Sequence, residues 1–516
     1  MTLLLPLILL PTFLAALFIG VMLMAGRLRP VLDEKLTATV AKQAIYASAI
    51  LAVLLGALHS DDFVRWAPYF DWLRSGDVRL DLSLVGGGMH SAVSIAFALL
   101  FIVVFRFATP YMHAEAGFHR FFLFMLVLAF AMFLLVLSGS ALLSFVAWEL
   151  AGISSWCLIA YNFRRTQAAT NATRVFLIQR VGDAAFLLGL TCLLLWTGAS
   201  DWYALRENAA QLTELQATVL ALSFAVAAFV KSAQVPFTPW LLRAMEGPTP
   251  SSTLFYGAVM IHAGVFLVIL LAPVFEQAPI AMAVLFLVGV LSALAGFVAG
   301  RSQADIKGSM AWATVSQVGL MFAACGLGWW ALALWHLCAH AVLRCFLFLR
   351  SPSILHNAHE LPLTPKSAPN EWLKAASLQQ LWLDASLDWA VARPAQRLAQ
   401  DLTYFETQVL DPVMGTPAPL VRRVSSLLQH NERRIGARLD NHDDRFAQGS
   451  GLAGKLTEWV AAISAWFEER FILQGLGRDV ISVGRRLGQA ANHFEQLLLR
   501  PRYLVVFVAF TLLVAL

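Results

Sequence analysis

Apolar residues fill most of the first 350 positions in long runs, and short polar stretches separate these runs. An α-helix of about 20 apolar residues is long enough to cross the ~30 Å hydrocarbon core of a bilayer. We therefore predict about twelve transmembrane helices and an all-α polytopic fold. Their approximate spans are 2–25, 38–58, 88–106, 120–138, 140–161, 173–196, 214–232 with a broken continuation to 244, 252–273, 279–300, 307–325, 328–349 and 503–516.

The region after residue 350 has a different pattern, because Arg, Asp and Glu recur throughout it. Apolar residues return there at helical spacing, which predicts amphipathic helices that lie on the membrane surface or dock a partner. Examples are Leu452, Leu456, Trp459, Val460 and Ile463. The predicted organisation is N-terminal membrane helices with a periplasmic loop at 1–80, a membrane core at 81–350, amphipathic helices at 351–500 and a C-terminal membrane helix at 501–516.

The composition agrees with a membrane protein. Hydrophobic residues make up 59% of the chain, charged residues only 13%, and the mean hydropathy is +0.69, values that exclude an ordinary soluble globule. The five cysteines form no Cys-x-x-Cys pair, and the chain has no nucleotide-binding loop or nucleophile motif. We therefore expect no metal site, no cofactor and no enzymatic reaction in this chain by itself.

The loops between spans differ in basic charge, and Lys and Arg in short loops remain cytoplasmic. Loops after odd-numbered spans carry Arg27, Arg29, Lys35, Lys42, Arg106, Arg120, Arg164, Arg165, Arg174, Arg243 and Arg301, whereas those after even-numbered spans carry Arg65, Arg74, Arg79 and Arg206. This distribution predicts an N-terminus outside the cytoplasm and a cytoplasmic tail at 351–500.

A lysine, Lys231, stands at the end of the seventh apolar run, just before Pro236 and Pro239. An isolated charge at bilayer depth costs from ~3 to well over ~10 kcal/mol, so an intramembrane lysine is by default a functional candidate. The two prolines remove backbone donors, and a broken helix is tolerated at membrane depth only where it lines protein or a water-filled cavity. Charge and helix break together predict an ion path.

Other titratable residues accompany Lys231 inside the predicted spans or at the start of one. They are Glu149, Arg180, Asp183, His262, Asp305, Lys307, His336, His340 and Arg344. The last three recur every four residues and so share one stripe of a helix. Carboxylates, amines and imidazoles are the groups that a proton wire requires, and imidazole titrates near neutral pH. A guanidinium is practically never deprotonated, so Arg344 can hold charge but is a poor proton donor.

Each of these residues also has a structural interpretation. Glu149 and Lys231 could form satisfied buried ion pairs, although such pairs are rarely cheaper than apolar substitutes. Arg180 and Asp183, three residues apart on one helix, are close enough to neutralise each other and to act mainly as structural support. Asp305 and Lys307 could be a helix cap with a snorkelling side chain.

Several motifs occur in order along residues 80–350 and together resemble one family. They are Met112-His-Ala-Glu-Ala-Gly-Phe-His-Arg-Phe-Phe, Trp148-Glu149, Arg180-Val-Gly-Asp183, Lys231-Ser-Ala-Gln, Glu246-Gly-Pro-Thr-Pro250, Val-Met260-Ile-His262-Ala-Gly, Asp305-Ile-Lys307, Ser316-Gln-Val-Gly319 and His336-Leu-Cys-Ala-His340 with Arg344. The chain resembles the antiporter-like subunits of respiratory complex I and Mrp antiporters, nearest to the chain 5 type. That resemblance implies inverted repeats, each with a broken helix, around a proton-translocating core.

Carried over by position, the resemblance gives a proton path. Glu149 and Lys231 would be the paired switch of the first half-channel, and His262 would be the bridge. Lys307, His336 and His340 would lead toward the second half-channel, supported by the charges of Arg180, Asp183, Asp305 and Arg344.

Two departures from the family pattern indicate a shortened member of this family. The apolar runs stop at Leu349, where the family's second repeat continues, and Arg344 stands where the family has a lysine. A shortened design of this kind resembles the DabB family, the membrane subunits of Dab-type inorganic carbon pumps. This resemblance implies a bacterial inner membrane location and a soluble zinc-containing partner, DabA, similar to β-carbonic anhydrases. Protons would then flow inward and drive CO2 hydration and bicarbonate accumulation in that partner.

Two other functions fit the sequence. The chain could be a cation/proton antiporter or a complex I chain 5-type pumping subunit, which would require sodium efflux or quinone-linked pumping. It could also be a structural membrane anchor for a soluble enzyme, in which case neutralising the buried charges would leave activity intact.

Overall fold

The computed structural model describes residues 3–25, 33–58, 64–66, 73–75, 78–80, 82–198, 200–303, 305–351 and 371–405. The α-helices of this part are α1 Leu4–Ala25, α2 Glu34–Leu58, α3 Gly88–Tyr111, α4 Phe118–Leu137, α5 Ala141–Ile159, α6 Thr166–Thr197, α7 Trp202–Asn208, α8 Glu214–Lys231, α9 Pro239–Arg243, α10 Thr249–Ser252, α11 Ala263–Leu270, α12 Ala272–Phe275, α13 Pro279–Gly300, α14 Ile306–Gly326, α15 Trp330–Arg350, α16 Glu371–Leu378, α17 Leu383–Leu387 and α18 Arg393–Phe405.

The predicted transmembrane architecture is confirmed. Ten helical stretches in the described ranges are long and apolar enough to cross a membrane, so the protein is a multi-pass integral membrane protein. The predicted span at 307–325 corresponds to α14, a 21-residue helix that is not among these ten and carries the polar residues Lys307, Ser309, Ser316 and Gln317. The predicted span at 503–516 lies outside the described residues.

α13 and α14 pack closely along their length because small residues face one another. A Cβ on Gly289 would lie 2.5 Å from the backbone nitrogen of Ala323, and one on Gly319 would lie 2.6 Å from the carbonyl oxygen of Gly289. Small residues allow helix backbones to approach in a membrane, where dispersion contacts replace the hydrophobic effect as the driving force. α14 is thereby held within the bundle despite its polar residues.

Two helix breaks meet in the middle of the bundle. α8 ends at Lys231 and α9 begins at Pro239, as the prolines predict, with a cis peptide bond between Val235 and Pro236. The second break was not predicted: 252–273 was expected to be one helix. Instead a π-helical turn, Thr253–Ala258, and a 3₁₀ turn, Met260–His262, precede α11.

A small extramembrane layer covers one end of the bundle. The predicted periplasmic loop contains four short strands, β1 Val64–Trp66, β2 Leu73–Ser75, β3 Val78–Leu80 and β4 Leu84–Gly86, paired antiparallel as β1 with β4 and β2 with β3. Arg65 Nη2 donates to Asp201 Oδ2 at 2.6 Å. Asp201 also caps α7 by accepting from the backbone of Tyr203 and Ala204, so this ion pair joins the strands to the helices.

The segment after α15 also contacts the bundle. Arg243 donates to both carboxylate oxygens of Asp384, and Arg174 lies 3.3 Å from Asp388. Ser377 Oγ donates to the carbonyl of Val298 at 2.7 Å. These bonds fasten α16, α17 and the π-helical turn Asp388–Ala392 to α6, α9 and α13.

The chain divides into two compact units, Met1–Arg393 and Pro394–Leu516. In the second unit the described residues form the rest of α18, which is amphipathic as predicted for this region. The apolar stripe predicted around Leu452 to Ile463 lies outside the described residues.

Candidate functional site

Buried and partly buried charges from α5 and α6 meet beside the helix break. Arg180 Nη1 donates to Glu149 Oε2 at 2.6 Å, and Arg180 Nη2 lies 2.9 Å from Asp183 Oδ2. One guanidinium thus spans two carboxylates, as its forked donor geometry allows. The predicted proximity of Arg180 and Asp183 is confirmed, while Glu149 has Arg180 as its ion partner rather than Lys231.

Lys231 joins this group through Trp148. Its Nζ donates to the carbonyl oxygen of Trp148 at 3.0 Å and lies 4.8 Å from the centre of the same residue's ring. The indole Nε1 of Trp148 donates to Asp183 Oδ1 at 3.0 Å. Lys231 is only 2% exposed. We call Trp148, Glu149, Arg180, Asp183 and Lys231 the Lys231 cluster.

The Lys231 cluster keeps polar atoms without hydrogen-bond partners. Among the described residues, Glu149 Oε1 and the side-chain amide nitrogen of the neighbouring Gln179 are buried and make no hydrogen bond, whereas the buried Asp183 Oδ2 has Arg180 as its ion partner. Gly152 borders these groups, since a Cβ there would lie 3.3 Å from Gln179 Oε1 and 3.5 Å from both Arg180 Nη2 and Lys231 Nζ. A buried polar atom without a partner costs about 1–3 kcal/mol, so these atoms favour a site whose bonding changes when a proton arrives.

A second group of polar side chains lies on α14, α15 and the 3₁₀ turn before α11. His262 Nε2 and His340 Nδ1 are 2.9 Å apart, and Arg344 Nε donates to His340 Nε2 at 3.1 Å. His336 Nε2 lies 3.1 Å from Gln317 Oε1. His262 is completely buried, and Arg344 is 8% exposed. We call His262, His336, His340 and Arg344 the histidine cluster, and its predicted stripe along α15 is confirmed.

The two helix breaks bring the clusters next to each other. Ser232, which follows Lys231, donates from its Oγ to the carbonyl oxygen of Ile261 at 2.7 Å. Ile261 directly precedes His262. Lys231 and His262 are therefore each one residue from a shared hydrogen bond, which agrees with a bridging position for His262.

Lys307 lies apart from the histidines. Its Nζ donates to Thr249 Oγ1 at 2.7 Å, and Thr249 Oγ1 also bonds to Tyr111 OH at 3.0 Å. At 1.5 Å per residue, about 15 Å of α14 separates Lys307 from Gln317, the partner of His336. The stripe predicted from Lys307 to His340 is therefore interrupted. Asp305 is the N-cap of α14, accepting from the backbone of Gly308, as its structural interpretation predicted.

Sequence reasoning missed several polar partners. Trp148 was quoted only as part of a motif, yet it joins Asp183 to Lys231, while Gln179, Ser232, Thr249 and Gln317 were not singled out. An indole or an amide in an apolar run gives no charge signal, and its partner lies on another helix. The spacing between Gln179 and Asp183, four residues on one helix face, was the available signal.

The arrangement can hold and move protons. Glu149, Asp183, Lys231, His262 and His340 each exist in two protonation states, and Lys231 and His262 lie beside the shared hydrogen bond of the two helix breaks. Arg180 keeps a fixed positive charge between two carboxylates. Among the residues that the structure describes, no three His, Cys, Asp or Glu side chains are grouped as metal ligands.

Comparison with known proteins supports the resemblance found in the sequence. Residues 138–367 match the family described as NADH:quinone oxidoreductase/Mrp antiporter, transmembrane. The chain is 34% identical over 312 residues to NAD(P)H-quinone oxidoreductase subunit 5 of the chloroplast of Nephroselmis olivacea, covering 59% of this chain and 48% of that protein. It is 35% identical over 297 residues to NAD(P)H-quinone oxidoreductase chain 5 of Picosynechococcus sp., covering 56% of this chain and 45% of that protein.

The fold is also similar to a solved structure. The Mrp complex of Dietzia sp. matches 67% of this chain and 37% of the matched chain, with 25% identity and a TM-score of 0.59. The chain spans about half the length of the curated relatives it matches. In motifs, sequence and fold, residues 138–367 of this chain are thus similar to the complex I chain 5 and Mrp antiporter-like membrane subunits.

Proposed function

We propose that the chain is a proton-translocating subunit in which protons pass between the Lys231 cluster and the histidine cluster. The observation that carries this proposal is that two groups of polar side chains flank one hydrogen bond between the helix breaks. Contacts join Glu149, Arg180, Asp183, Trp148 and Lys231 in the first group and His262 with His340 in the second, and the hydrogen bond between Ser232 and Ile261 lies between them, one residue from Lys231 and one from His262. Such groups are costly in a membrane unless they serve a path.

Lysine and carboxylate suit this task in different ways. Glu149 has one oxygen in the ion pair with Arg180 and one without a partner among the described residues, so it can take a proton on the second oxygen. Lys231 Nζ contacts a carbonyl and an aromatic ring, and no carboxylate of the described residues lies within 4.0 Å of it. Its ammonium is thus stabilised less than in an ion pair, which favours release of a proton toward His262.

Proton flux in reconstituted liposomes tests this proposal. The full chain, placed under an inward-directed proton gradient with potassium and valinomycin to balance charge, should acidify the interior. Glu149→Gln and Lys231→Ala should each remove that flux. The matched control is Arg164→Gln, which changes an exposed charge on the loop after α5 and should leave it unchanged. Wild-type flux in both cluster variants would contradict the proposed path.

We further infer that the flow is coupled to inorganic carbon accumulation, with protons running inward and a soluble zinc protein similar to β-carbonic anhydrases, DabA, hydrating CO2. This proposal rests on the DabB resemblance and on Arg344, a permanent cation in place of a family lysine. The proposed location is a bacterial inner membrane, with the N-terminus in the periplasm and residues 351–500 in the cytoplasm. The loop charges support this orientation.

Purification of the chain from its native membrane tests the coupling. One soluble partner that carries zinc, together with loss of labelled bicarbonate accumulation in Glu149→Gln and Lys231→Ala complexes that still assemble, would support it. Full accumulation in both variants would contradict it.

A complex I chain 5-type role is the second candidate, and the identity to subunit 5 of NAD(P)H-quinone oxidoreductases favours it. It predicts co-purification with quinone-reductase subunits and proton pumping that depends on quinone. The same purification therefore separates the two candidates.

A further inference from the structure

We propose that Arg344 fixes the tautomers of His340 and His262, so that protons pass this histidine pair only when Arg344 moves away from His340. The assignment of tautomers depends only on the geometry of the three side chains. Its consequence for conduction rests on the proposed proton path. The proposal makes Arg344 a positioning residue, since it acts on the path through a histidine.

Arg344 determines which nitrogen of His340 is the acceptor. Arg344 Nε is a donor only, because a guanidinium has no acceptor and stays protonated in proteins. It donates to His340 Nε2 at 3.1 Å. That nitrogen must therefore present a lone pair, so His340 carries its proton on Nδ1 and is neutral in this arrangement.

The tautomer of His340 determines which nitrogen of His262 carries the proton. His340 Nδ1 lies 2.9 Å from His262 Nε2. If His262 donated in this bond, both nitrogens of His340 would be acceptors, and the ring would be a buried imidazolate anion. Hence His340 Nδ1 donates, His262 Nε2 accepts, and the proton of a neutral His262 lies on Nδ1.

The surroundings hold this arrangement in place. His340 and Arg344 lie four residues apart on α15, so their side chains are neighbours on one helix face. Both are buried, at 4% and 8% exposure. No carboxylate of the described residues lies within 4.0 Å of Arg344 to draw its guanidinium away. The contact to His340 is therefore the polar bond that orients Arg344.

The consequence follows from how imidazole relays a proton. A ring passes a proton onward by accepting on one nitrogen and releasing from the other. A proton that reaches His262 from Lys231 would have to pass from Nε2 to His340 Nδ1, and His340 would have to release one from Nε2, which faces a cation that accepts no proton. His336, whose ring centre is 6.0 Å from that of His340, cannot exchange a proton with Nε2 while Arg344 occupies it. Passage requires Arg344 to move.

Nitrogen-15 NMR of the histidine-labelled full chain in lipid bilayers tests the assignment directly. Signals of His340 and His262 would be identified with His340→Gln and His262→Gln among the 12 histidines. The wild type should show both rings neutral, protonated on Nδ1 and unprotonated on Nε2. A protonated Nε2 on His340, in a neutral or a cationic ring, would overturn the proposal, whatever the result of any flux assay.

Two substitutions of Arg344 add the functional readout. Arg344→Met removes the donor, so His340 should lose its tautomer preference, and uncoupled proton leak in liposomes should rise several-fold. Arg344→Lys retains a donor and should keep the wild-type tautomer. Leu343→Met, an exposed neighbour on α15, is the control and should change neither signal nor leak. An unchanged tautomer in Arg344→Met contradicts the lock, whereas an altered tautomer with unchanged leak contradicts its role in closing the path.

Discussion

The Lys231 cluster and the histidine cluster hold buried charge in opposite ways. In the first, one arginine lies between two carboxylates, and a lysine faces a carbonyl and an aromatic ring. In the second, no carboxylate of the described residues contacts Arg344, which bonds to a neutral histidine instead. The first cluster has charges that compensate one another. The second has a single fixed cation and rings that can change only if that cation moves.

The two arginines therefore have different roles. Arg180 neutralises carboxylates, so its loss leaves negative charge in the membrane interior. Arg344 orients a ring, so its loss removes a buried cation without leaving an unpaired partner charge. The two arginines should therefore respond in opposite directions to the same substitution.

The largest expected effect is on stability and separates the two arginines. Arg180→Met leaves Glu149 and Asp183 without their cation and should destabilise the fold by about 3 kcal/mol, at the low end for buried pairs because the arginine is partly exposed. Arg344→Met should be neutral or stabilising, since an apolar residue replaces a buried charge. Thermal unfolding of both variants in the same detergent measures the difference. Equal losses of stability would show that the two clusters hold charge in the same way.

The next effect isolates one hydrogen bond inside the Lys231 cluster. Trp148→Phe keeps an aromatic ring but removes the donor to Asp183, which should cost about 1.5 kcal/mol and slow proton flux about tenfold if the bond orients the path. Trp312→Phe is the matched control, because Trp312 is equally buried and its Nε1 has no hydrogen-bond partner among the described residues. Flux in reconstituted liposomes, compared between the two variants, gives the effect of the bond. An equal change in both would assign it to lost packing.

The smallest effect concerns the outer end of the histidine cluster. His336 is half-buried and bonds to Gln317 rather than to His340, so His336→Gln should change proton flux by less than about twofold, equivalent to under 0.5 kcal/mol. His262→Gln, at the fully buried centre of the same cluster, should remove the flux. A complete loss of flux in His336→Gln would show that the path continues beyond His340 to His336. Arg344 would then not close the path at His340.

The sequence predicted the features that depend on composition along one segment. Apolar runs located the membrane helices, and Pro236 and Pro239 located the first break, because each proline removes a backbone donor from a helix. The pair of Arg180 and Asp183 followed from their spacing on one helix. All of these are local properties.

The remaining features depend on contacts between distant segments. The second break, at 253–262, contains no proline and has no local signal. The joining of Asp183 to Lys231 by Trp148 requires three helices to meet, and the separation of Lys307 from the histidines depends on which residue of α14 faces α15. The strands of the extramembrane loop have three residues each, too few for an alternating pattern to be recognised.

The central claim is that Glu149 in the Lys231 cluster takes up and releases a proton. Infrared difference spectroscopy of the reconstituted chain after a pH step, recorded in the region where protonated carboxyl groups absorb, measures this directly. The account predicts a carboxyl signal in the wild type that disappears in Glu149→Gln and persists in Glu276→Gln, which alters an exposed carboxylate. A signal unchanged in Glu149→Gln would contradict the account, because the proton would then be carried elsewhere.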